Sequence, residues 1–153
     1  MRILGVDYGR RRIGLAVSDD SAVLARPWQT LEAGATPDES AGRILAAVER
    51  AARESLDDFA VGAVVVGLPR RLNGEDTHGT AGARALAAAL GSRSGLPVHL
   101  QDERLSSHEA EARLARRVPD WRARKKQIDA AAAAVVLQDY LDRAPAATGE
   151  GVE

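Results

Sequence analysis

Residues 59–66 read F-A-V-G-A-V-V-V, an almost unbroken run of β-branched and small apolar side chains. A strand with one wet face alternates apolar and polar residues, whereas a continuously apolar strand is covered on both faces. That pattern predicts a parallel or mixed sheet with helices on each side. The covering helices have to be slim. Of the 69 apolar residues 30 are alanine, and only two Trp, two Tyr and one Phe are present, so the core falls to 16 Leu, 13 Val and 4 Ile. At 153 residues the chain has the length of one domain and buries enough surface to fold without a disulfide or structural metal.

The remaining segments complete the pattern. Ile3–Asp7 is a short apolar strand, and Arg12–Ser18 alternates as its hairpin partner. Leu24–Leu31 contains Pro27 and reads as an edge strand. Thr36-Pro37-Asp38-Glu39 opens a helix that the spacing of Ile44, Leu45, Val48, Ala51 and Ala52 carries to about Glu54. After the buried strand come a polar loop (67–77), a helix over 80–92 and a strand over 96–102. A helix over 107–116, a basic loop over 118–124 and a last helix over 125–142 follow. The order of three strands, helix, strand, helix, strand, helix, helix predicts an α/β domain over residues 1–142, a mixed five-stranded sheet with helices on both faces. Residues 143–153 (R-A-P-A-A-T-G-E-G-V-E) carry too little apolar surface to pack and are expected to be a disordered tail.

Composition excludes several chemistries. Without cysteine there is no cystine framework, Cys-ligated zinc, iron–sulfur cluster or thiol nucleophile. His78, His99 and His108 lack metal-binding spacing, and Gly67, Gly74 and Gly79 make no G-x-x-x-x-G-K-[ST] loop. The longest apolar run, 130–137, is eight residues, far short of a membrane span, and Met1 leads straight into a strand. A cytoplasmic protein with no membrane partner is expected.

Three acids stand at ends of apolar elements. Asp7 closes the first strand before Tyr8-Gly9, and Asp102-Glu103 closes the last. Asp129 heads a helical stripe of Ala132, Ala133, Val136, Leu137 and Tyr140. Each alone has a bland reading: a turn residue, a solvated strand end, or an acid complementing a helix N-terminus. Ligands of open α/β sheets gather beyond the carboxyl ends of the strands, and three acids brought there would repel one another. Hard oxygen ligands call for Mg²⁺ or Mn²⁺, and two such ions about 4 Å apart can activate water and stabilise the leaving oxygen of a phosphodiester.

The segments D-Y-G-R-R-R-I-G-L-A-V-S-D (7–19), V-V-V-G-L-P-R-R-L-N-G (64–74), D-E-R-L-S-S-H-E-A (102–110) and D-A-A-A-A-A-V-V-L-Q-D-Y-L (129–141) resemble, in order and spacing, the YqgF/RuvX family. The resemblance covers residues 1–142 and implies an RNase H-like fold, with Asp7, Glu103 and Asp129 as the catalytic, metal-binding acids. Asp102 is the reserve for Glu103, because alternation puts the two on opposite faces of a strand. The implied activity is metal-dependent hydrolysis of phosphodiester bonds, in maturation of the 5′ end of pre-16S ribosomal RNA or in Holliday-junction DNA. The chain departs from the family's G-L-P-L-N-M-D-G loop at 67–74, and Arg10 replaces a small hydroxyl residue.

The total charge is only −1, yet 19 of the 21 basic residues are arginine and they cluster. Arg10, Arg11, Arg12, Arg70, Arg71, Arg104, Arg124, Lys125 and Lys126 flank the acids, where a rim for phosphates would stand. The alternative is ordinary solvated surface. Structured RNA or branched DNA is the expected partner, with the chain a monomer or homodimer; a symmetric junction resolvase requires the dimer. Two other classes compete. A phosphotransferase of the actin/hexokinase type also opens on a D-x-G turn, but this chain is short for two ATP-clamping lobes. A non-catalytic RNA-binding adaptor would need the arginines and no acids.

Overall fold

The computed structural model describes residues 1–55, 58–71, 73–102 and 121–143, and only the backbone of His78 and of 121–127. The helix expected over 107–116 and the tail after 143 lie outside these residues. Five strands form one mixed sheet in the order β3-β2-β1-β4-β5. They are β1 (Arg2–Tyr8), β2 (Arg12–Ser18), β3 (Ala25–Glu32), β4 (Val61–Leu68) and β5 (Val98–Asp102). The first three make an antiparallel meander, while β4 and β5 run parallel to β1. β3 is the edge strand that Pro27 predicts. The register shifts where Ala16 meets Pro27, and this irregularity accommodates a residue with no N–H to give.

Val64, Val65 and Val66 are fully buried, as the unbroken apolar run requires. Their alternation divides the core. Val64 and Val66 join Leu4, Val6, Ile13, Leu15, Ile44, Leu86 and Leu90 on one face, beneath α1 (Pro37–Glu54) and α2 (His78–Ser94). Each such side chain contributes about 1.5–3 kcal/mol by leaving water. Val65 faces the other way, toward Ala16, Ala133, Val136 and Leu137, under the long helix α3 (Trp121–Arg143).

Helix ends follow their capping residues. Thr36 accepts from the Glu39 N–H ahead of Pro37, and Thr77 and Thr80 form a reciprocal capping box. Gly95 closes α2 in the left-handed region at φ 74°. Several boundaries differ by a few residues from the pattern-based expectation, and two of the shifts have a visible cause. β4 begins at Val61 because Phe59 leaves the sheet to pack against Trp28, with ring centroids 5.4 Å apart. α3 begins at Trp121, so 121–124 is helix and not loop; Arg is a good helix former, and charge alone does not end a helix.

Candidate functional site

Because β1, β4 and β5 are parallel, Tyr8, Leu68 and Asp102 finish at the same end of the sheet. β2 runs the other way, so Arg12 starts at that end, opposite Glu32 at the close of β3. The acids and arginines that flank the strands therefore share one rim.

Glycine shows how α3 sits on one face of this rim. Asp7 is the cross-strand partner of Gly14, and directly opposed residues of an antiparallel pair point to the same side. A Cβ on Gly14 would run into the backbone carbonyl of Asp129. Gly5, two residues before Asp7, meets α3 in the same way: a Cβ there would lie 2.8 Å from that of Leu137. The sheet thus presents Gly5, Asp7, Gly14 and Ala16 to α3, and the missing side chains let the helix backbone descend onto the strands. Asp7 and Asp129 both border Gly14. The backbone of α3 fills the space over Gly14, so any larger residue there would displace the helix.

Asp129 is joined to the sheet by its carboxylate as well. Arg12 Nε donates to Asp129 Oδ2 at 2.5 Å, across 117 residues of chain. The side chains are 35% and 24% exposed, so the pair is partly desolvated and firmer than a surface ion pair. Arg10 and Arg11 are exposed. With Arg12 they flank a hollow of about 670 Å³ whose far wall is Thr30–Ala33.

Gly67 pairs with Gln101, and Leu68 with Asp102. Leu68 belongs to the α1/α2 core, so Asp102 lies on that face, opposite Asp7. Gln101 lies on the α3 face, only 7% exposed, and two residues earlier His99 stacks on Tyr140 of α3 at 5.3 Å. Burial raises the Tyr140 phenol above its ordinary pKa. The reserve position for the third acid is therefore on the far side of the strand. Glu103 and Arg104 lie outside the described residues. Among the described residues no three acids or histidines converge tightly enough to hold a metal by themselves.

The two loop arginines differ. Arg70 pairs with Asp76 across an isolated bridge, its Nε 3.7 Å from the carboxylate, and is largely covered. Arg71 is exposed. Gly74, at φ 89°, tightens this loop, and the Pro69 carbonyl accepts from Thr80 of α2 at 2.5 Å. Arg124, Lys125 and Lys126 stand in the early turns of α3, with Lys125 and Lys126 four and three residues ahead of Asp129.

Reading the residues one at a time misses Gln101 and the Arg12–Asp129 pair. Gly14 did carry a signal, since a glycine inside an apolar strand marks a close approach of another backbone.

The family model described as "RuvX: Holliday junction resolvase" matches residues 1–143. The chain belongs to this family. A protein of Maridesulfovibrio salexigens named "Putative pre-16S rRNA nuclease" is 41% identical over 145 residues, 94% of this chain and 100% of that one. One of the same name from Anaeromyxobacter dehalogenans is 45% identical over 143 residues, 94% and 98% of the two chains. Among solved structures, the fowlpox virus Holliday junction resolvase superposes with a TM-score of 0.56 at 11% identity, covering 93% of this chain and 98% of that one. Thermus thermophilus RuvC in complex with a Holliday junction substrate gives 0.51 at 20% identity, covering 93% and 95%. At such identities these two show the fold alone, which is RNase H-like. As a member of the RuvX family the chain is a nuclease, a hydrolase of phosphodiester bonds. Among the described residues no helix is long and apolar enough to cross a membrane.

Proposed function

We propose that this RuvX-family chain cuts structured RNA and that its physiological target is the 5′ end of a 16S ribosomal RNA precursor, which makes it a cytoplasmic enzyme. The observation that carries the site is the meeting of Asp7 and Asp129 around Gly14, at the sheet end where the arginines gather. Asp7, Glu103 and Asp129 would hold Mg²⁺ or Mn²⁺, two ions in all. The residues fit hard cations: the donors are carboxylate oxygens, and Asp129 already holds a cationic group. Glu103 is preferred to Asp102 because Asp102 shares the face of Leu68. When bound, such ions supply Lewis acidity and ease the deprotonation of water.

The chain's own residues do the rest. Asp7 is fixed by a strand that is buried up to Val6 and by its pairing with Gly14. Asp129 is fixed by the seat of α3 on Gly14 and by Arg12. Arg10, Arg11, Arg71 and the run Arg124–Lys126 grip phosphates and orient the backbone without reading bases. Arg70 shares this role only if it leaves Asp76. With only five Trp, Tyr and Phe residues in the whole chain, stacking of single-stranded bases contributes little.

A second reading, a structure-selective DNA endonuclease working as a homodimer, is favoured by the description of the family. A panel of precursor-like RNA hairpins and four-way DNA junctions, each with Mg²⁺, Mn²⁺ or EDTA, tests both. Metal-dependent cutting of RNA with intact junctions is the expected result. Preference for the junction, with a dimeric mass in solution, would establish the second reading. Full turnover in EDTA would end the metal mechanism.

A further inference from the structure

Arg12 stands among three consecutive arginines, yet only its neighbours Arg10 and Arg11 are exposed. Its guanidinium is committed to the carboxylate of Asp129 at 2.5 Å. Across the sheet Arg12 faces Glu32, which is exposed, so the more buried of two available acids is the one it binds. The partner is brought within reach by Gly14, two residues along the same strand, through the descent of α3. This contact is built by the fold and not by chance meeting of long side chains.

A carboxylate in that setting, just above a sheet that also presents Asp7, is costly without a neutralising charge. We propose that Arg12 is a built-in counter-ion for Asp129, holding the acid in the metal-free protein and giving way when a divalent cation arrives. The proposal rests on the reading of Asp129 as a metal ligand. Arg12 is then a positioning residue whose guanidinium and the metal ion occupy Asp129 in alternation. Two consequences follow. Without metal the Asp129 carboxylate is neutralised and held in place, and cation capture releases a guanidinium at the rim, where a phosphate of the substrate can take it up. Cation and substrate would therefore favour each other's binding, since each stabilises the same state of Arg12.

The opposite arrangement has a different signature. If Arg12 merely orients Asp129 while a cation uses the other oxygen, removing the arginine would weaken metal binding. Mn²⁺ titration of the full chain by calorimetry, without nucleic acid, separates the two. Arg12→Gln should tighten Mn²⁺ binding by about tenfold, the equivalent of about 1.4 kcal/mol, the scale of one charge-assisted hydrogen bond given up. Arg10→Gln removes the same charge from the same turn without that contact, and should change affinity by less than about twofold because exposed charges are screened. In metal-free buffer Arg12→Gln should melt a few degrees lower, and added Mn²⁺ should raise its melting temperature more than that of the wild type.

If Arg12→Gln does not fold, Arg12→Lys keeps the charge and loses the planar fork; it should bind Mn²⁺ more tightly than the wild type by a smaller factor. Unchanged or weaker Mn²⁺ binding in these variants overturns the proposal and leaves the metal site standing. Mn²⁺ binding by neither the wild type nor the variants overturns both.

Discussion

The two faces of the sheet are built from different materials. Under α1 and α2 the strands present Leu4, Val6, Ile13, Leu15, Val64 and Val66, and the helices answer with Ile44, Leu86 and Leu90. Under α3 they present Gly5, Asp7, Gly14, Ala16 and Val65, and the helix answers with Ala133, Val136 and Leu137. The first face buries much apolar area and tolerates exchange of one aliphatic side chain for another. The second buries little per residue, but it fixes a helix backbone against two strands within van der Waals distance. One face holds the molecule together; the other sets the position of two acids. Family membership shows a nuclease, and the small-residue face is the one that positions the acids proposed for its chemistry.

The largest expected effect tests the second face directly. Asp7→Asn keeps the shape of the side chain and removes a charge. Cleavage should fall by more than about 100-fold, since even the outer partners of metal ligands are commonly worth about 10–100-fold. Far-UV circular dichroism and the melting temperature should not fall. Retention of near-wild-type activity would remove Asp7 from the site.

A paired experiment comes next. Leu86→Ala opens a cavity on the α1/α2 face and should destabilise by about 2–5 kcal/mol. Activity per folded molecule should survive. Gly14→Ala pushes against the Asp129 carbonyl and should cost about 1–3 kcal/mol by overpacking, yet lose most activity because α3 must lift. If Leu86→Ala damages turnover of the folded fraction as much as Gly14→Ala does, the division of labour between the faces is wrong.

These faces were unequally legible. Large aliphatic residues at periodic positions announce a core, so the strands, α1, α2 and the edge position of β3 could be anticipated to within a few residues. Asp7, closing an apolar strand before Gly9, and Asp129, heading an apolar stripe, stood out for the same reason. The small-residue face gives weak periodic signal, because glycine and alanine are at home in many settings. The pairing of Arg12 with Asp129 joins positions 117 residues apart and follows from topology, which no local pattern encodes. Strand alternation separated Asp102 from its neighbour in principle, but that Asp102 lies on the α1/α2 face needed the register with Leu68. The helix boundary at Trp121 was obscured because a basic run looks the same in a loop and on a solvated helix.

A smaller effect distinguishes arginines within one loop. Arg71 is exposed while Arg70 lies against Asp76. Arg71→Gln should weaken binding to all RNA sequences alike and reduce the log–log salt slope by about 0.7–0.9, the release of roughly one counterion. Arg70→Gln should reduce it less. Equal slopes for both variants and the wild type would make this loop a bystander.

The smallest effect belongs to the stabilising face. Arg93 of α2 grips Asp38 of α1 through Nε at 3.1 Å and Nη2 at 2.8 Å, which ties the two helices together. The hydrogen bond from Arg93, and then its charge, holds the Asp38 carboxyl below its ordinary pKa. A folded-state pKa below the unfolded one stabilises above the unfolded value, and the gain is lost as the pH falls through that value toward the folded one. Ordinary aspartate titrates near pH 3.9, so the loss begins there and deepens in stronger acid. The pair is exposed, and salt screens it. Arg93→Gln should therefore lower the melting temperature only slightly at neutral pH and low salt. Melting curves of the variant and the wild type should converge below the carboxylate range, where both carry a protonated Asp38. Cleavage should stay unchanged throughout the neutral range, because this contact lies on the face opposite Asp7 and Asp129, the acids proposed for catalysis. A difference between the two proteins that persisted in strong acid would mean that Arg93 stabilises by packing, as the lie of its guanidinium over Gly42 allows, and not by its charge.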